Sequence, residues 1–75
     1  MYKSGERVYA LDECVIYSSP ECSIVDEDNV VVVAPRDAEL VVMADLDRVL
    51  HIVYETKRGI TVMGYVKEFM TYAKL

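Results

Sequence analysis

Apolar and polar residues alternate in short runs along this chain, with turn-forming residues between the runs, the pattern of antiparallel strands that bury one face. The first run is Arg7-Val8-Tyr9-Ala10-Leu11, preceded by Gly5 and closed by Asp12-Glu13. The second, Cys14-Val15-Ile16-Tyr17, stops at Ser18-Ser19-Pro20, because proline has no N–H to donate to a ladder. Residues 21 to 28 are polar enough for a surface loop, with Ile24 and Val25 pinning it to the core. Four consecutive valines then occupy Asn29 to Ala34, and their stiff χ1 suits a strand better than a helix. Pro35-Arg36-Asp37 turns the chain.

From Ala38 to Ala44 the pattern puts Leu40, Val42 and Ala44 on one face and Val41 and Met43 on the other. Asp45-Leu46-Asp47 predicts the next turn. Arg48 to Glu55 alternates again, with Leu50, Ile52 and Tyr54 as the core trio and Val49, His51 and Val53 facing outward. Lys57-Arg58-Gly59 reads as a hairpin turn in which Gly59 takes positive φ. It leads into a strand from Ile60 to Val66, a helical turn over Lys67 to Met70 and a last short strand over Thr71 to Leu75. Five to seven short strands in so few residues leave too many edges for a flat sheet. The predicted fold is therefore all-β, a single small, strongly bent barrel over residues 1–75.

Composition agrees with strands: the chain has six tyrosines, one phenylalanine, no tryptophan and 53% apolar residues. The longest apolar run, Val30 to Ala34, is far short of the roughly 18 to 20 residues that span a bilayer. No membrane insertion is expected. The N-terminal residues lack the apolar core of a signal peptide, which fits a cytoplasmic protein, or an extracellular or cell-wall domain excised from a longer one.

Charge is unevenly distributed. Residues 1 to 47 carry eleven acids against Lys3, Arg7 and Arg36, a balance of −8, whereas residues 48 to 75 carry a balance of +3. A net charge of −5 with scattered bases argues against a nucleic-acid partner, since phosphate neutralisation needs a basic stripe. The acidic surface keeps a small β domain soluble.

Catalytic chemistry finds no support. His51 is the single histidine, the one base that could pair with Ser4, Ser18, Ser19, Ser23, Cys14 or Cys22, and it lies mid-strand among aliphatics on the outward face, the place of a solvent- or partner-facing side chain. Asp26-Glu27-Asp28 and Asp45-x-Asp47 lack the glycine and terminal glutamate of a calcium loop. Cys14 and Cys22 with a distant His51 do not have zinc spacing, and three isolated glycines make no phosphate loop. No metal, cofactor or enzymatic activity is expected. The two cysteines are either reduced thiols packed as small apolar groups or a disulfide closing the bend between them.

The order of features resembles the bacterial SH3 domain family. The residues that carry the resemblance are Val15-Ile16-Tyr17-Ser18-Ser19-Pro20, Asp37-Ala38-Glu39-Leu40-Val41-Val42, Val49-Leu50-His51-Ile52, Gly59 and Met63-Gly64-Tyr65-Val66. The resemblance spans roughly residues 14 to 70. Val49 stands where the family has an exposed tryptophan, residues 21 to 39 are longer than the usual pattern, and the segment after Val66 is one residue shorter. The resemblance implies an SH3-like barrel that binds peptide or peptidoglycan as part of a larger protein. By position it implies Tyr65, Tyr17 and Phe69 as groove residues.

Two other readings stand beside this one. A small cytosolic interaction or assembly subunit, with a protein partner or a homodimer, is suggested by Val41 and Met43 and by a partner surface of Val49, His51 and Val53. The opening Gly5-x-x-Val8-Tyr9 resembles the first strand of nucleic-acid-binding KOW-type barrels, a reading the acid excess opposes.

Overall fold

The computed structural model describes residues 1–22 and 30–74. The loop predicted over residues 21 to 28, with its anchors Ile24 and Val25 and the Asp26-Glu27-Asp28 run, lies mostly outside the described residues, as do Asn29 and Leu75. Among the described residues, seven antiparallel strands form one sheet: β1 (Arg7–Ala10), β2 (Cys14–Tyr17), β3 (Val30–Ala34), β4 (Glu39–Asp45), β5 (Val49–Glu55), β6 (Thr61–Lys67) and β7 (Thr71–Tyr72). A 3₁₀ turn, Glu68–Met70, joins β6 to β7. The sheet order is β3-β2-β6-β5-β4-β1-β7, and the sheet curls into a half-barrel. The fold is all-β, as the period-two pattern predicts.

The alternation decides what is inside. Val8 and Ala10, Cys14 and Ile16, Leu40 and Val42, and Leu50, Ile52 and Tyr54 alternate with exposed or half-buried neighbours, and with Ala34 and Val66 they make the core. Burying such aliphatic side chains contributes roughly 1.5–3 kcal/mol each, the main driving force for a domain this small. β4, β5 and β6 form a meander, and β1 crosses back to pair with β4, Val8 opposite Leu40. Gly5 N–H extends that pairing to the Val42 carbonyl at 2.8 Å, and β7 closes on β1 with Tyr9 opposite Tyr72.

Two assignments shift, one at a turn and one within a strand. The hairpin expected at Asp45-Leu46-Asp47 closes instead between Leu46 and Val49, whose N–H···O bond is 2.8 Å, with Asp47 and Arg48 both at positive φ (64° and 65°). Successive left-handed residues give the twist that two-residue hairpins require, but an arginine there lacks the usual Asn-Gly signal. Asp45 is a strap: its Oδ2 accepts from Tyr2 N–H at 2.7 Å and its Oδ1 from Asp47 N–H at 2.9 Å. Ala44 also departs from the predicted core row. A bulge between Val42 and Ala44 shifts the register, so that Ala44 stands half-buried opposite His51.

Candidate functional site

The turn between β5 and β6 sets the register of the face that matters. Thr56 N–H bonds the Ile60 carbonyl at 2.8 Å, Gly59 N–H bonds the Thr56 carbonyl at 2.9 Å, and Gly59 has φ 79°. Counting outward from this turn, Val53 opposes Met63, His51 opposes Tyr65 and Val49 opposes Lys67. All six lie on the face away from the core. His51 and Tyr65 stack, their ring centroids 4.7 Å apart and their planes at 17°.

Strand β2 docks against the other side of β6 through one registered pair, Tyr17 with Tyr65. Gly64 permits it. A β-carbon on Gly64 would run into Ile16 Cγ2 and come within 2.8 Å of the Tyr17 carbonyl oxygen. Gly64 is therefore a close-approach glycine, and the neighbouring Val66 is fully buried. Tyr17 sits at 5% exposure. It is a largely buried neighbour of Tyr65 across the ladder, with the Lys67 ammonium over its ring.

Beyond this row the chain builds a cleft. The 3₁₀ turn is tied to the β4–β5 hairpin by Glu68 N–H on the Arg48 carbonyl at 2.9 Å, and Thr71 Oγ1 caps it by donating to the Glu68 carbonyl at 2.7 Å. Opposite stands the turn after β2, closed by Cys22 N–H on the Ser19 carbonyl at 3.1 Å with Cys22 at φ 52°. Between them is a space of about 640 Å³ whose apolar lining includes Cys22, Val49 and Phe69 and whose charged lining is Glu21, Arg48, Lys67 and Glu68. A hollow of about 110 Å³ beside Val15, Tyr17 and Met70 adjoins it, sharing Lys67 and Phe69. Lys67 Nζ lies 5.7 Å from the Tyr17 ring centroid and 6.0 Å from that of Phe69, cation–π distances that hold the ammonium over the cleft. Phe69 is 70% exposed.

Arg7 with Glu39 is the one ion pair among the described residues, so Arg48, Lys67, Glu21 and Glu68 face the cleft without ion-pair partners among them. A second space, of about 670 Å³, lies near Val41, Val53 and Tyr54. That lining is crossed by the Arg7–Glu39 pair and carries no exposed aromatic, which leaves the Phe69 cleft as the better candidate site. Val53 belongs to this second space, whereas Val49 lines the first and His51 backs Tyr65.

Both cysteines are buried free thiols; the disulfide alternative is not formed. Burial, reinforced by the neighbouring Cys22, pushes the Cys14 thiol up to about 11. Burial also raises Cys22, partly offset by the Lys67 charge. No group of three or more His, Cys, Asp and Glu converges among the described residues, and the Asp45 carboxylate is already engaged by backbone N–H groups. No helix of the described residues is long and apolar enough to cross a membrane.

Comparison with protein-family models, curated proteins and solved structures finds no match for this chain. The local geometry therefore carries the assignment of the site. Of the residues picked from the sequence, Tyr65, Val49 and His51 share one sheet face, with Tyr17 beside Tyr65 and Phe69 at the edge of the face on the 3₁₀ turn. Lys67, Arg48, Glu21 and Glu68 were missed, and Cys22 was read only as a thiol or disulfide partner. Lys67 was legible in principle, since counting back from Gly59 places it opposite Val49; Arg48 was not, because its orientation follows from a left-handed backbone that arginine does not announce.

Proposed function

We propose that this protein is a non-catalytic binding module of the bacterial SH3-like kind, which takes a peptide or a peptidoglycan fragment in the cleft between the β2 turn, the β4–β5 hairpin and the 3₁₀ turn. The observation that carries this reading is the cleft itself, with Phe69 exposed at its edge and Val49 and Cys22 in its lining. An exposed aromatic beside a half-apolar concavity is the usual form of a recognition groove. The meander followed by a 3₁₀ turn and a closing strand on β1 supports the SH3-like reading. Titrating ¹⁵N-labelled protein with soluble peptidoglycan fragments, and separately with unrelated short peptides, tests it. Shifts confined to the amides of Val49, Tyr65, Lys67 and Phe69 are expected. Movement with peptides but not with wall fragments removes the cell-wall version.

A second reading, a protein-interaction or assembly subunit, is favoured by the sheet edge. β3 ends the sheet, contains no charge or proline, and exposes Val31 and Val33 by 45% and 43%. Pairing of this edge with a partner strand would add to the sheet. Sedimentation equilibrium at high concentration tests self-association: a strictly monomeric profile removes the homodimer.

A further inference from the structure

The cleft presents two cations and two anions around an apolar floor, and none of the four is ion-paired within the described residues. Lys67 is held by the Tyr17 and Phe69 rings rather than by a carboxylate. Arg48 is fixed at φ 65° in the two-residue turn, with its carbonyl taken by Glu68 N–H. Glu68 is half-buried on the first residue of the 3₁₀ turn, and Glu21 stands on the facing turn, its N–H bonded to Ser19 Oγ at 3.3 Å. A ligand of one charge sign would meet like charge from two of these four side chains. A ligand with no charge would leave all four without a complement.

Resting on the reading of this cleft as a peptide site, we infer that its ligand is a peptide segment of mixed charge, with one ammonium and one carboxylate flanking an apolar side chain that seats against Val49 and Phe69. Arg48 and Lys67 complement the carboxylate and Glu21 and Glu68 the ammonium. Such an arrangement selects by the pattern of charge rather than by its total, because each misplaced sign meets repulsion as well as losing attraction.

Four tripeptides with acetylated and amidated ends test it by NMR titration of the ¹⁵N-labelled protein: lysine–leucine–glutamate, glutamine–leucine–glutamine, glutamate–leucine–glutamate and lysine–leucine–lysine. The mixed-charge peptide is expected to shift the Val49, Lys67 and Phe69 amides and to bind about fivefold tighter than the neutral one, the scale of partly exposed ion pairs. Its advantage should shrink at high salt and disappear in R48Q and E68Q proteins, whose amide spectra away from the cleft stay native. Equal binding of the neutral peptide, or equal binding of either single-sign peptide, overturns the charge inference while leaving the peptide cleft in place. If none of the four moves these amides, both the inference and the site reading fall.

Discussion

Replacing Gly64 by alanine drives a methyl group toward Ile16 Cγ2 and the Tyr17 carbonyl, where β2 and β6 meet. Overpacking of this kind typically destabilises by about 1–3 kcal/mol. The expected result for Gly64→Ala is a lower urea midpoint at unchanged slope. Phe69 is the contrast: it is 70% exposed, so Phe69→Ala should change stability by no more than about 0.5 kcal/mol while abolishing ligand-induced shifts in the cleft. Asp45 supplies a pH dependence. Bonds from the Tyr2 and Asp47 amides lower its pKa below the ordinary 3.8, so the ionised, strap-holding form persists above that value and is lost as pH falls through the lower folded pKa. The Tyr2 and Asp47 amide resonances should titrate together with a midpoint under 3.8, and Asp45→Asn should remove that titration. Cys14, with no exposed surface and a thiol pushed up to about 11, should resist iodoacetamide at pH 8 until the protein unfolds.

At the scale of elements, strand positions were readable because burial repeats every second residue, and β2 keeps the predicted limits from Cys14 to Tyr17. Turn geometry was read less well. Gly59 marks its own turn through positive φ, whereas Asp47 and Arg48 adopt the same region with no glycine to signal it. The bulge at Met43 was equally hidden, since Leu40, Val42 and Ala44 alternate without a break while the ladder to β5 slips. The edge strand carries a prediction at this scale. Val33→Lys places a charge on an exposed edge position and should leave the fold intact while lowering any self-association seen by sedimentation.

For the molecule as a whole, the aromatic residues of the candidate face could be found in the sequence, but their assembly into a cleft could not. The cleft needs three turns that are distant in the chain, the one after β2, the one between β4 and β5, and the 3₁₀ turn, and no local pattern states which of them converge. Its charged lining was also scattered: the sequence shows an acidic first part and a basic remainder, whereas the fold interleaves Glu21 with Arg48, Lys67 and Glu68 at one place.

The single pairing of Tyr17 with Tyr65 also has a kinetic meaning. The β4–β5–β6 meander closes through short turns, so its contacts are local and cheap in loop entropy, whereas β2 must be brought to β6 across most of the chain. We expect the meander to form in the folding transition state and the β2–β3 hairpin to dock after it. Gly64→Ala would then accelerate unfolding and leave the refolding rate nearly unchanged, a low φ-value at the seam, while Ile52→Val at the centre of the meander would slow refolding. Stopped-flow chevrons of the two variants distinguish this order from its reverse, and place the rim supplied by the β2 turn among the last parts of the cleft to form.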